Sequence, residues 1–333
     1  MIAAILNPFS LKLGYYTQRG LILLLNICFT DKKITLTELI LKVMTMNFNK
    51  FNLFLSAALL AALPAYAQES NDAPKSEWRA NFRRVALDIS STSVGNAEEY
   101  KDSPNSKLSA DGEEVIKGVL DFVLEHETDS SRWDNGIYAE YGKTTLKPVD
   151  GEKSKTENAD KVLISTDYTE KMWKWEEADV GPFANIGYQT EFTKNDDAPR
   201  TKVIRGKAGI KALNGTYFDD MYAALVQDWD MTYDEDIQKT AAELGGRWKY
   251  NLRDGVDFKL EGYYRRYFAY SKYNSTDFKD ELSGMARMDV ELKNNFKLSP
   301  FVQYFRAKAR GAEKYGDNLL IGVSLGYVNM FEL

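Results

Sequence analysis

The residues of this chain best suited to act on a solute are charged ones set two apart. Arg205 and Lys207 are followed by Lys211. Asp257, Lys259, Glu261 and Arg265 share a spacing of even steps, as do Glu281, Arg287, Asp289 and Glu291, and Arg306, Lys308 and Arg310. Residues two apart in an extended strand lie on one face, so each set makes a charged stripe. The candidate lining residues of an interior built from such stripes are Arg205, Lys207, Arg265, Arg287, Arg306, Lys308, Arg310, Glu261 and Asp289. Two chemistries suit them. Opposite charges on neighbouring strands pair and fill a narrow lumen, or Arg265, Arg306, Lys308 and Arg310 form a basic track for anionic solutes, as rings of charge do in selective pores.

Catalytic chemistry is less well provided for. His126 is the only histidine. As the base of a lipid-cleaving serine hydrolase it needs a serine and an orienting polar group, and no serine is matched to it by sequence. A histidine metal cluster is impossible with one histidine. Asp234-Glu235-Asp236 and Asn195-Asp196-Asp197 lack the alternate spacing of a calcium loop and read as solvated loop charge. No cofactor or metal is expected, and the reading is non-enzymatic.

The positions between the charges say what holds the stripes. Ile116, Gly118, Leu120, Phe122 and Leu124 form one apolar face; Ile204, Gly206, Ala208, Ile210 and Ala212 a second; Leu282, Gly284, Ala286, Met288, Val290 and Leu292 a third. Period-two alternation means strands with one polar and one apolar face. Many such strands, with no apolar helices to cover them, predict an all-β fold: a single transmembrane antiparallel β-barrel. Twelve strands are expected, roughly 80–92, 113–127, 135–147, 160–171, 181–193, 201–213, 220–231, 239–251, 256–269, 280–293, 300–311 and 318–332. Lys or Arg facing lipid at mid-bilayer costs about 2–4 kcal/mol, so the charged stripes are assigned to the lumen.

The connections support this layout. Those after odd strands are polar and often long, as at 93–112 and 148–159; those after even strands include tight Asp254-Gly255 and Asn294-Asn295, suited to positive φ. Segment 171–180, with Trp173 and Trp175, is longer than a tight turn. Prolines 74, 104, 148, 182, 199 and 300 fall in expected loops or at the first residues of strands, where no ladder hydrogen bond is lost. Aromatics near strand ends, from Trp133, Tyr138, Trp173 and Trp175 to Tyr217, Trp229, Tyr250, Tyr267 and Tyr270, suit interfacial girdles.

The amino-terminal segment sets the compartment. Lys50, the apolar run Phe51–Leu63 and the Ala65-Tyr66-Ala67 site have the layout of a cleaved secretory signal. Residues 46–67 are thus read as signal peptide, 1–45 as an upstream extension outside the mature protein, 68–79 as a periplasmic leader and 80–333 as the barrel. Loss of residues 1–67 removes six Lys/Arg and two Asp/Glu, taking the formal net charge from −6 to −10. Cys28, the only cysteine, goes as well, which excludes disulfides. An acidic chain is a poor partner for nucleic acid, whose phosphates need a basic face. The expected location is the bacterial outer membrane, in contact with its lipid.

The last strand carries Leu319, Ile321, Val323, Leu325 and Tyr327 on one face and Gly322, Ser324 and Gly326 on the other. It is similar to the carboxy-terminal signal read by the barrel-assembly machinery, with Gly322, Leu325 and Tyr327 at matching positions, although the chain ends in Glu332-Leu333 rather than an aromatic. Residues 132–194 resemble an uncharacterised bacterial outer-membrane β-barrel family, a domain of unknown function. The matching residues are Trp133-Asp134-Asn135-Gly136, Tyr141-Gly142, Asp160-Lys161-Val162, Trp175 and Tyr188-Gln189-Thr190-Glu191-Phe192. The resemblance implies the barrel and the compartment and supplies no activity.

The leading expectation is a narrow porin-like channel for small polar or anionic solutes, with loop 93–112 folding over or into its mouth. A non-transporting envelope barrel whose outer loops bind a partner is the second, and a lipid-modifying enzyme using His126 the third.

Overall fold

The computed structural model describes residues 76–101, 103, 105–109, 112–147, 154–193, 199–233 and 235–333, together with two short strands nearer the amino terminus. Those two, Cys28–Phe29 and Lys32–Lys33, pair antiparallel and belong to a unit distinct from the barrel. The expected signal peptide 46–67, the cluster Asn195-Asp196-Asp197 and Asp234 lie outside the described residues.

Twelve long strands follow: β1 (Ser76–Gly95), β2 (Gly112–Thr128), β3 (Ser131–Lys147), β4 (Ser154–Glu170), β5 (Ala178–Thr190), β6 (Val203–Gly215), β7 (Phe218–Asp230), β8 (Ile237–Arg253), β9 (Val256–Tyr270), β10 (Phe278–Glu291), β11 (Phe296–Ala309) and β12 (Gly316–Glu332). Each pairs antiparallel with its neighbours in sequence, and β12 pairs with β1 from Asp317↔Gly95 to Glu332↔Arg79. Among the described residues each of the twelve strands is paired on both sides, so the sheet closes and its ladder bonds are satisfied between strands, the condition for crossing hydrocarbon.

The two ends of the barrel differ. At one, the turn end, β2–β3, β6–β7 and β8–β9 are joined by two residues each. Gly255 (φ 72°), Asn294 (φ 53°) and Asn295 (φ 64°) take the left-handed conformations expected of them. Trp173–Trp175 folds back on Ala178–Val180 as a small hairpin there, which accounts for the long segment after β4. The other, loop end carries the longer connections, and 96–109 holds two short helical turns, Ala97–Tyr100 and Ser106–Ser109.

Several strands run further than the alternation indicates. β1 begins at Ser76, inside the expected leader, and β4 at Ser154 rather than near 160. Residues 154–159 are Ser-Lys-Thr-Glu-Asn-Ala, with no apolar face to reveal a strand. Pro182 and Pro300 prove to be interior strand residues, and each sits where a ladder lapses. The β4–β5 pairing ends at Thr169↔Phe183, and the β10–β11 pairing skips from Arg287↔Phe301 to Val290↔Leu298. The missing N–H is therefore lost beside a gap.

The outer wall is that of a membrane-spanning barrel. Each strand from β3 to β11 presents a large aliphatic outward: Ile137, Ile164, Ile186, Ile210, Leu225, Leu244, Leu260, Leu282 and Val302, between 40% and 62% exposed. Only lipid makes such a belt stable. Aromatics ring the turn end, with Trp78 against Trp133 (centroids 6.4 Å apart), Tyr217 stacked on Tyr250 (6.1 Å) and Phe296 against Tyr327 (5.7 Å). Tyr138 and Tyr267, expected in girdles, instead face inward and bond Glu140 and Arg265.

Candidate functional site: the barrel lumen

The opposite face of every strand supplies the interior. It encloses a cavity of about 890 Å³ lined from Arg79 and Arg132 near the turn end to Lys107, Phe305 and Asn318 near the loop end. Thirteen Lys/Arg and nine Asp/Glu reach its surface, and further acids, Asp228, Glu243, Glu281 and Asp289, are buried behind them as counter-ions.

Most of these charges are paired, strand to strand. Glu243 on β8 is the hub, 1% exposed. Its Oε1 accepts from Lys207 Nζ on β6 (2.6 Å) and from the Tyr222 hydroxyl on β7 (2.7 Å), and its Oε2 accepts from Arg265 Nε on β9 (2.5 Å). Arg265 Nη1 donates onward to Glu281 Oε1 on β10 at 2.7 Å and to the Tyr267 hydroxyl at 3.0 Å. Five adjacent strands are thus bridged by one chain of polar contacts. Arg205 clasps Asp228 with two bonds (2.6 and 2.8 Å), Lys211 bonds Asp167 at 2.5 Å, and Lys117 bonds Glu140 at 2.7 Å. Near the turn end Glu125 draws in Arg79, Arg83 and Arg132 at 3.2–3.3 Å. Removing one member leaves the others as uncompensated buried charge, so the network resists piecemeal loss.

Some wall charges stand apart. Lys161 Nζ lies 5.5 Å from the Tyr138 ring centroid and makes no ion pair among the described residues; Asp121 and Glu261 make none either. These present charge to the cavity itself.

The candidates from sequence divide. Lys207, Arg287 and Glu261 line the main cavity, Arg205 lines a smaller one beside it, and Arg265 is buried in the network. Asp289 is buried behind the wall, 2.7 Å from Arg287 and 3.1 Å from Lys259. Arg306 and Lys308 are a correction: they lie on the outside of the barrel. Arg306 stands opposite Leu282, an outward residue, and β11 turns Phe301, Gln303, Phe305, Ala307 and Ala309 inward. Arg310, in step with them, ends at the loop-end rim over the rings of Tyr270 and Tyr273. The lipid rule that assigned them to the lumen holds at mid-bilayer and fades to about 0–1 kcal/mol at the interface. The usable signal was Tyr304 before them, an interfacial aromatic that ends the apolar outer face.

The loop-end part of the inner face of β11 is apolar because a loop sits on it. Tyr100 (1% exposed) and Leu108 (fully buried) pack with Phe305, Ala307 and Ala309. The Tyr100 hydroxyl lies 3.0 Å from the Ala307 carbonyl oxygen and 2.8 Å from that of Lys314, and accepts the Ala309 N–H at 3.3 Å. Asn318 Nδ2 donates to the Lys107 carbonyl at 2.8 Å. Segment 96–109 therefore enters the loop-end mouth. Its two apolar anchors lie in an otherwise polar stretch and leave no periodic trace in sequence.

Elsewhere, His126 lies on the outer wall at the turn end. Its Nε2 is 2.9 Å from Ser76 Oγ and its ring is 4.5 Å from that of Trp78. Among the described residues no third group holds the other ring nitrogen, the part that orients a catalytic imidazole. In the outer loops, Glu235 pairs with Lys272.

No protein-family model matches this sequence, and no curated protein does. Solved structures do match. One is the COG4313 outer membrane channel of Pseudomonas putida F1, at 9% identity over 80% of this chain and 100% of that one, with TM-score 0.44. Another is the outer membrane channel DcaP of Acinetobacter baumannii, at 9% identity over 80% and 100%, with TM-score 0.36. A third is outer membrane phospholipase A of Escherichia coli, at 11% identity over 78% and 94%, with TM-score 0.36. Channels and an enzyme both stand among them, so they assign this chain no activity.

Proposed function

We propose that this protein is a narrow channel of the bacterial outer membrane that passes small polar solutes and favours anionic ones. The observation that carries this reading is the 890 Å³ cavity, whose surface presents thirteen Lys/Arg against nine Asp/Glu. A solute carboxylate or phosphate entering it exchanges water for lysine ammonium and arginine guanidinium groups, which bind such anions through charge-assisted hydrogen bonds. Lys117, Lys161, Lys207, Lys211 and Arg247 on β2, β4, β6 and β8 provide the basic side of the path. Asp121 and Glu261 keep the affinity low enough for release, which conduction requires. The apolar belt and the secretory layout of residues 46–67 support the compartment, and the placement of Gly322, Leu325 and Tyr327 in β12 supports delivery by the barrel-assembly machinery.

A second reading has its own observation. The strand-to-strand ion pairs and the seated segment 96–109 also suit a filled barrel that supports the envelope or displays its loops to a partner. Ion selectivity in planar bilayers separates the two: stepwise currents with an anion-selective reversal potential support the channel, and a silent, correctly folded barrel supports the second reading.

A further inference from the structure

The outer face of β11 changes character along its length. Val302 and Tyr304 are followed, two residues at a time, by Arg306 and Lys308, and Arg310 stands at the rim in the bend just past the strand's end. Arg306 lies between Leu282 on β10 and Asp317 on β12, and Lys308 lies opposite Asp280, which on its other side is opposite Arg266 of β9. Four cations and two carboxylates thus share one patch at the loop end, immediately beyond the lipid-facing aliphatics Leu282 and Val302.

These cations are held by rings rather than by acids. The Arg306 guanidinium lies 4.4 Å and the Lys308 ammonium 5.5 Å from the centroid of Tyr315. The Arg310 guanidinium lies 4.2 Å from that of Tyr270 and 4.3 Å from that of Tyr273, itself 65% exposed. Among the described residues none of Arg266, Arg306, Lys308 and Arg310 forms an ion pair. Asp280 is buried and takes the Tyr315 hydroxyl at 3.4 Å. Lys308 donates to the Glu313 carbonyl oxygen. Stacking fixes a guanidinium plane while leaving its N–H groups at the edge free to bind. Basic side chains at the junction of an apolar wall and water meet lipid headgroups first, and clusters of them read as sites for anionic ones.

We propose that this patch docks a phosphate-bearing lipid headgroup of the loop-end leaflet, with Arg306 and Arg310 as paired guanidinium donors and Lys308 between them. The occupant is a lipid rather than a free anion because the patch is continuous with the aliphatic belt that would hold the acyl chains, and because it lies on the opposite face of the strand from the cavity.

The test is native mass spectrometry of the folded full barrel titrated with lipid A, with the same lipid after removal of its phosphates, and with phosphatidylcholine. Folding is checked by heat-modifiable gel migration. The wild-type protein should retain lipid A at least tenfold more tightly than the dephosphorylated form or phosphatidylcholine. The Arg306→Gln/Lys308→Gln/Arg310→Gln variant should lose that preference, and Lys161→Gln, on the cavity side, should keep it. Equal retention of the two forms of lipid A by the wild-type protein, or an unchanged preference in the triple variant, would overturn the proposal. So would displacement of lipid A by millimolar inorganic phosphate, which would mark a free-anion site. Channel activity is measured separately, so silence in bilayers leaves this result standing.

Discussion

The hydroxyl of Tyr100 sits 2.8 Å from the carbonyl oxygen of Lys314, joining the first loop of the barrel to the last across 214 residues of sequence. With Leu108 buried beside it, this contact holds segment 96–109 in the loop-end mouth. Truncating a buried aromatic costs about 3–5 kcal/mol, and Tyr100 and Leu108 are the side chains that anchor the segment in the core at the mouth. Tyr100→Ala and Leu108→Ala should therefore release the segment and raise unitary conductance, while the barrel itself stays folded. Protease cleavage within 96–111 should quicken in the same variants. A conductance equal to that of the wild type would show that the segment does not obstruct the path.

Gly316 offers a gentler form of the same experiment. A Cβ there would come within 2.9 Å of the Tyr100 ring, closer than packed atoms tolerate. Gly316→Ala should displace the ring and give a partial version of the Tyr100→Ala phenotype, read as an intermediate cleavage rate.

Glu243 should be costly to neutralise. A carboxamide offers one oxygen and two N–H groups to Lys207, Tyr222 and Arg265, which are all donors. Breaking a buried ion network from one side costs about 3–5 kcal/mol. Glu243→Gln should lower the urea midpoint of the refolded barrel accordingly. A double change of Glu243 and Lys207 to Gln and Met should recover part of the loss, because the excess charge then falls; no recovery would argue against the network.

Loop retention should also respond to acid. Glu99 Oε2 accepts the backbone N–H groups of Lys314 and Glu313 at 3.0 Å each, and the bond from Lys314 is the main cause that holds its carboxyl below the ordinary value of 4.5. A depressed carboxylate contributes at pH above its unfolded value and loses that contribution as pH falls through the folded one. Amide-exchange protection of Glu313 and Lys314 should stay flat from neutral pH to about 5 and decline only below the ordinary carboxylate range. In Glu99→Gln it should be lower and flat throughout. A midpoint at or above 4.5 would contradict the assignment.

Much of this was legible in the sequence, and the failures have physical causes. The faces led by Ile116, Ile204 and Leu282 alternate because lipid and lumen enforce a period of two, so the strand count and the turn ends followed from pattern alone. The direction of Arg306, Lys308 and Arg310 did not. Period two fixes which residues share a face and leaves open which side that face takes once the strand passes the interface. The pairing of Glu243 with Arg265 and Lys207 depends on register between strands, which no single stripe encodes. Tyr100 and Leu108 gave no warning, because a loop that docks by two isolated anchors has no period.

The most direct measurement is single-channel recording of the refolded protein in planar bilayers under a salt gradient. A channel with a positively charged lumen gives stepwise currents whose reversal potential marks anion preference. Lys161→Glu should move that potential toward cations, and Arg306→Ala/Lys308→Ala, on the outer face of β11, should leave it unchanged. An absence of steps from correctly folded barrels, in the wild type and in Tyr100→Ala alike, would contradict the channel.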